Sequence, residues 1–347
     1  MADLFKRYHE HAKAHARRPE NMERAWRLYV EPDFGTRKLS EVKPDEVGRW
    51  HRTIPTEIVR KREAARTRRQ AESKAKATAS TQRPQRAVDG KRSANQALAL
   101  MHAMYRWASK RRLHTGDNPA HGIEPFPERY RKRFLQPDEM KPFFAALANE
   151  PNTTMRDFFQ IALLTGARRS NVLAMRWQDV HLERAEWVIP MTKNGQPQTV
   201  TLAPEAVTIL SGRDKVRRAE VERALKESPD ERREPRKRAQ FVFPSDRTDH
   251  HIVEPKSAWR RLLQRAELSD VRIHDLRRTL GSWQARSGAS LQIIGKSLNH
   301  LSADATRIYS QLDLDPVRQS VDRAAASMLE AAGLNQSAEV APIRVRA

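Results

Sequence analysis

Four short segments carry side chains that together could do chemistry on a phosphodiester. Thr165-Gly166-Ala167-Arg168 supplies one guanidinium, and Arg272-Ile273-His274-Asp275-Leu276-Arg277 supplies an imidazole and a second guanidinium. Thr192-Lys193-Asn194-Gly195 offers an amine on a turn, and His300 precedes Tyr309 by nine positions. Two fixed guanidiniums can neutralise the charge that gathers on the nonbridging oxygens of an attacked phosphate, through forked hydrogen bonds. A tyrosine hydroxyl, with a pKa near ~10, attacks only once it gives up its proton, which nearby positive charge and a histidine would assist. An amine can protonate the departing oxygen. Each motif alone is common in basic proteins. The ordered set is what carries weight.

The composition names the partner for such chemistry. The chain has 347 residues, enough for two packed cores, and a formal net charge of +22. Its apolar fraction of 38% is low and its charged fraction of 31% high, as for a folded protein with a heavily charged surface and some flexible segments. That charge calls for a polyanion, DNA or RNA, bound in a salt-dependent way. An anionic membrane is the alternative, but no apolar run is long enough to span a bilayer. The opening MADLFKRYHE lacks the apolar core of a signal peptide. With no cysteine there are no disulfides and no thiolate metal sites. The expected compartment is the cytoplasm, at the nucleoid.

The elements that must position these groups are mostly helical. Residues 4–30 are rich in helix formers, with Pro32 and Phe34-Gly35 as the expected stop. Pro44 opens a helix through Val47, Trp50 and His51, and Pro55 predicts a break or a fresh start. The run from Arg60 to Arg92 is the most basic: Arg60, Lys61, Arg62, Arg66, Arg68, Arg69, Lys74, Lys76, Arg83, Arg86, Lys91 and Arg92. It reads either as a solvated helix and loop or as a surface for DNA phosphates. Ser93 reads as a cap for a helix over 94–110, and Gly116 to Pro127 as a linker followed by basic residues at 129, 131, 132 and 133. Further on, helices are expected at 137–147, burying Met140, Phe143, Phe144 and Leu147, and at 155–164 and 168–177. Strands at 185–190 and 198–202 flank the Asn194-Gly195 turn. A charged insertion over 213–238, helical at first, precedes the apolar Phe241-Val242-Phe243. Helical patterns then recur at 256–265, 274–287, 291–298, 304–309 and 317–332.

The ordered set closely resembles the catalytic domain of the tyrosine recombinases, the integrases of phages and genomic islands. In that family one arginine follows a Thr-Gly-x motif, a lysine lies in the hairpin turn, a His-x-x-Arg motif follows, and a second histidine precedes the tyrosine by nine positions. The matching residues here are Arg168, Lys193, His274, Arg277, His300 and Tyr309. The resemblance covers roughly 130–330, with 1–115 more loosely similar to the family's helical core-binding domain. It implies a mostly α fold with a small β-sheet. The helical core-type DNA-binding domain would occupy 1–115, a linker 116–132, a mixed α/β catalytic domain with a C-terminal helix 133–334, and a flexible tail 335–347.

The resemblance also implies roles. Arg168 and Arg277 stabilise the transition state, Tyr309 forms a 3'-phosphotyrosyl link, His274 accepts its proton, Lys193 protonates the 5' oxygen and His300 positions the phosphate. No metal, ATP or other cofactor is implied. The implied partner is double-stranded DNA, held by four copies on paired sites, with a monomer as the alternative when free of DNA and with accessory DNA-bending or directionality factors. The C-terminal helix would pack on a neighbouring copy or on its own domain. Arg169 and Arg278 read as surface or DNA-flanking residues, Asp275 as a local partner for a base, and Leu276 as core. His250-His251 beside Asp249 read as a metal site or, more simply, a solvated loop.

Two positions depart from the family pattern: Asn171 stands where an acidic residue is frequent, and Asn299 where glycine usually precedes the second histidine. Many island-type integrases carry an arm-binding domain before the core-binding helices. This chain starts almost at those helices, as expected of a simpler type or of a piece of a longer protein. A relaxing topoisomerase of type IB-like chemistry and a non-catalytic DNA-binding or replication-control protein are the competing readings.

Overall fold

Two hydrophobic cores divide the computed structural model into the units Met1–Tyr130 and Arg131–Ala347. The structure describes residues 1–16, 18–75, 89–128, 131–192, 195–227, 238–300, 302–311, 321–322, 324–326 and 328. As expected from the periodicities, the fold is mostly helical with one small antiparallel sheet.

The first unit is built from α1 (Ala2–Lys13), α2 (Pro19–Ala25), α3 (Glu31–Phe34), α4 (Pro44–Ala75) and α5 (Lys91–Lys110). The helical stretch expected over 4–30 is therefore interrupted, because Pro19 starts α2 at its first position, where no backbone N–H is needed. Pro32 does not end the helical path. A π-turn over Trp26–Val30 moves the ladder to Glu31 N donating to Trp26 O, and Pro32 enters the next turn at its start. Pro55 likewise lies inside α4 rather than at a break. Ser93 is not the cap of α5: that helix starts two residues earlier, with left-handed Gly90 as N-cap and the Asp89 carboxylate accepting from Lys91 N at 3.2 Å. The core is formed by Trp26, Val30, Val47, Trp50, Met101, Met104 and Tyr105. Residues 118–126 lie along α5, held by Asn118 Nδ2 to His102 O and by Asn95 to both backbone groups of Phe126.

The second unit contains α6 (Pro137–Ala148), α7 (Thr153–Thr165), α8 (Arg169–Leu173), β1 (Val180–His181), β2 (Glu186–Ile189), β3 (Gln198–Thr201) and α9 (Pro204–Glu227). It continues with α10 (Lys256–Arg265), α11 (Ile273–Arg286), α12 (Leu291–Ser297) and α13 (Ala303–Arg307), which runs into a 3-10 turn over Ile308–Gln311. The sheet order is β1-β2-β3, antiparallel, with Trp187 opposite Val200 and Ile189 opposite Gln198. Strand β1 has no counterpart in the periodicities. The helix expected over 168–177 stops at Leu173, because the next backbone bridges to the apolar 241–243 segment: Val242 N donates to Met175 O and Trp177 N to Gln240 O. Phe144 is exposed rather than core, whereas Phe143 and Leu147 are buried. The calls on the final helix at 317–332 and the tail fall almost wholly outside the described residues.

Gly90 shows how tightly the first unit is assembled. Its φ of 69° favours glycine, and a Cβ there would lie 2.7 Å from Pro55 Cα. Gly90→Ala is expected to lower stability by about 2 kcal/mol in urea unfolding. Gly212→Ala, which meets no atom within 4 Å, is the matched control and should cause no loss.

Candidate active site

Two helix ends make the floor of the site. Helix α7 stops at Gly166, whose φ of 57° puts it in the left-handed region, and a Cβ there would press to 2.8 Å on Leu280 and Leu298. The chain then turns through Ala167 to Arg168, the N-cap residue of α8. Helix α12 closes with paired hydrogen bonds, His300 N to Gly295 O and Asn299 N to Lys296 O, around left-handed Asn299 at φ 51°. That is the Schellman arrangement, which requires Gly or the next most tolerant residue, Asn, at this position. The family departure at Asn299 thus preserves the backbone that presents His300.

The arginines sit on these ends. Arg277, on the first turns of α11, is buried; its Nη1 donates to Gly166 O at 2.8 Å and its Nη2 to Leu298 O. Arg168 Nη2 donates to Asn299 O at 3.2 Å. The carbonyls at helix C-termini lack intrahelical donors and carry partial negative charge, so they suit guanidiniums. Among the described residues no carboxylate pairs with Arg277. Burial, and then repulsion from Arg168, lowers its pKa to about 10, so it stays charged at neutral pH.

The histidines feel the same field. His274 is exposed at its surface, yet desolvation by the protein around it, then Arg278 and Arg277, push its pKa down to about 4. Burial, then Arg277 and Arg168, takes His300 to about 4 as well. Its Nδ1 shares a hydrogen bond with Thr306 Oγ1 at 2.9 Å, and its ring stacks at 9° on Tyr309, with centroids 6.1 Å apart. Tyr309 is 4% exposed and packs in a small cluster with Ile294 and Leu298. Burial raises its pKa, while Arg277 and Arg278 pull the other way.

Five of the six residues singled out in the sequence are therefore gathered in one place. Lys193, the sixth, lies outside the described residues with Asn194. The hairpin that carries it is fastened to the same helix end, since buried Gln198 at the start of β3 donates to Ser297 O at 3.0 Å. The basic run is placed differently. Arg60, Lys61, Arg62, Arg66 and Arg68 are exposed on α4, Lys91 is half-buried and Arg92 exposed at the start of α5. The side chains of Arg69 and Lys74, and all of Lys76, Arg83 and Arg86, lie outside the described residues. Lys61 pairs with Glu57 and Lys91 approaches the Phe126 ring. His251 bonds to Ile252 O, and among the described residues no three of His, Asp and Glu gather to hold a metal. No described helix is long and apolar enough to cross a membrane.

Several working parts escaped the sequence reading. Gly281 lies one turn beyond Arg277 on the same face of α11, and a Cβ on it would meet the Tyr309 ring at 2.6 Å. Its position at i+4 from Arg277 was the available signal. Arg278, partly exposed, pairs with buried Asp275 at 2.6 Å, the local base partner expected of that carboxylate. Arg131 also binds Asp275, and Arg133 binds Glu139.

Comparison with known proteins gives the family and the fold. A family model described as "Phage integrase family" matches residues 133–315. The prophage integrase IntF of Escherichia coli (strain K12) is 27% identical over 250 residues, which cover 69% of this chain and 50% of that protein. The chain spans about half the length of such curated relatives. Among solved structures, the Tn1549 transposon integrase in complex with transposon right end DNA superposes with a TM-score of 0.65 at 15% identity, covering 93% of this chain and 99% of that one. A lambda integrase tetramer bound to a Holliday junction gives 0.58 at 13% identity, covering 87% and 77%. At these identities the structural likeness is one of fold.

Two outcomes are expected of the DNA-free protein. Gly281→Val should displace Tyr309, read as brighter tyrosine exposure in ultraviolet difference spectra and loss of the His300 ring-current shift. NMR titration should find His274 and His300 neutral down to about pH 4. Because their folded pKa values lie below the unfolded value of about 6.5, the unfolded chain binds more protons in that window. Stability should therefore rise with pH between about 4 and 6.5, less so in a His274→Asn, His300→Asn variant.

Proposed function

We propose that this chain, which belongs to the phage integrase family, is a site-specific tyrosine recombinase that cuts and rejoins double-stranded DNA through a 3'-phosphotyrosyl intermediate at Tyr309. The observation that carries this reading is a cluster in which Arg277, Arg168 and His274 surround His300, His300 stacks on buried Tyr309, and no described carboxylate neutralises the Arg277 guanidinium. A phosphodiester supplies the missing anion. Its nonbridging oxygens would accept from the guanidiniums, which stabilise the charge that grows as phosphorus becomes five-coordinate.

Tyr309 Oη forms a bond to phosphorus while the bond from phosphorus to the 5' oxygen breaks. The phenolic proton passes to His274, and Lys193 gives a proton to the departing oxygen. Before DNA arrives, burial keeps the phenol protonated, and burial together with the arginines keeps His274 a poor base. The entering negative charge offsets that field and restores the basicity of His274 where it is needed. The bond energy is kept in the phosphotyrosine, so attack by a 5' hydroxyl reverses the step without ATP, and no step calls on a metal.

The element acted on is a mobile one, in keeping with relatives named as prophage integrase and transposon integrase. The basic face of α4 and the start of α5 would hold DNA phosphates. Four copies on paired sites are the working assembly, by analogy with the lambda tetramer. Accessory DNA-bending or directionality proteins would set the direction. Covalent capture tests the reading, using a pool of random-sequence duplexes nicked so that cleavage releases a short strand. Wild-type protein is expected to give adducts that survive denaturation, and Tyr309→Phe to give none. An adduct that persists in Tyr309→Phe overturns the assignment. Plasmid relaxation without exchange between two captured sites would instead favour a topoisomerase.

A further inference from the structure

We infer that Arg131 is a positioning residue of this active site: its guanidinium clamps the buried Asp275 carboxylate and so fixes the first turn of α11, which carries His274 and Arg277. The inference rests on the recombinase reading above for its reaction, but not for its geometry.

The lead into α11 needs fixing. It passes through Glu267 and Asp270, both left-handed at φ 56° and 50°, a backbone that non-glycine residues rarely hold unaided. Asp275 caps the helix by accepting from Arg272 N at 2.8 Å. Arg131 then spans helix and lead together. Its Nε and Nη2 reach Asp275 at 3.0 and 2.8 Å, and its Nη1 reaches the Asp270 carboxylate at 2.9 Å. Its Nη2 also bonds to Asp270 O. Asp275 is 0% exposed and takes a further bond from Arg278. A buried carboxylate between two guanidiniums and a capping N–H has little freedom to rotate, and its neighbour in sequence is His274.

The segment that starts at Arg131 continues along α11. Leu135 N donates to Thr279 Oγ1 at 2.9 Å, and Trp283 Nε1 donates to Leu135 O at 3.3 Å. Arg131 is the point of that strap nearest the catalytic turn. Arg133, two residues on, offers a comparison within the same segment: its fork closes on Glu139 at the start of α6, and among the described residues it makes no hydrogen bond to α11. A lysine in place of Arg131 could keep the charge but not the fork. The charged and titratable groups that face His274 are Arg277, Arg278 and Asp275 on its own helix, Arg168 from the α7–α8 turn and His300 beyond the end of α12, with Arg131 behind Asp275.

The test uses the full chain, a nicked duplex captured by the wild type, and the variants Arg131→Gln, Arg131→Lys and Arg133→Gln. At saturating duplex, Arg131→Gln is expected to slow adduct formation by about tenfold or more, as a small misplacement of reacting groups does, with duplex affinity unchanged. Arg131→Lys should recover part of the rate. Arg133→Gln should keep the wild-type rate even where its melting temperature falls as far. In the DNA-free protein, NMR titration should find the His274 pKa higher in Arg131→Gln, because the Asp275 charge is then less neutralised. A wild-type rate in Arg131→Gln, an equal slowing in Arg133→Gln, or an unmoved His274 titration overturns the inference. Should the wild type capture no duplex at all, the recombinase reading fails, and the His274 titration alone decides the role of Arg131.

Discussion

The second unit is organised around one buried cation. Arg277 is taken out of water without a carboxylate to meet it among the described residues, a cost of several kcal/mol unless polar groups compensate. Compensation comes from the carbonyls of Gly166 and Leu298, at the C-terminal ends of two helices. Such carbonyls lack intrahelical partners and stand at the negative end of the helix dipole, so they can seat a guanidinium without discharging it. The charge that remains is available to an anion. Its reach is visible in the histidines, since Arg277 helps to hold both His274 and His300 neutral, and it opposes the effect of burial on Tyr309.

The surrounding anatomy follows from bringing two helix ends to one side chain. Both ends must turn in the left-handed region, which Gly166 and Asn299 provide. Leu298 must approach Gly166 closely, and Gly281 must leave room for the ring of Tyr309 between α11 and α12. Gly295 meets Thr306 at 3.0 Å from the place of a Cβ, and Thr306 in turn holds His300. Tyr309 is thus seated in a small apolar cluster of its own rather than in the main core. Polar function and packing are served by the same few contacts.

Much of this was legible in the residues themselves. The helical pattern, the hairpin around Asn194-Gly195 and the ordered set from Arg168 to Tyr309 depend on local periodicity and local motif, which a single sequence displays. What the sequence hides is decided by distant partners. The helix expected to run to Trp177 is cut short by a bridge to residues 240–242, sixty-odd positions away. Pro32 and Pro55 read as stops but are absorbed by a π-turn and by a long helix. Arg131 and Arg278 look like members of a basic surface, yet both are committed to Asp275. Asn299 looks like a defect beside the family pattern, and only its φ shows that it does the work of the glycine.

The central claim is that the charge left on Arg277 is kept for a phosphate. The most direct test is to follow His274 and His300 by NMR in the Tyr309→Phe protein, first alone and then with a captured duplex. A second duplex would carry a neutral methylphosphonate in place of the cleaved phosphate. Both histidines should rise from about 4 toward their ordinary range with the phosphate duplex and stay low with the methylphosphonate. Histidines that respond equally to both duplexes, or to neither, would contradict it.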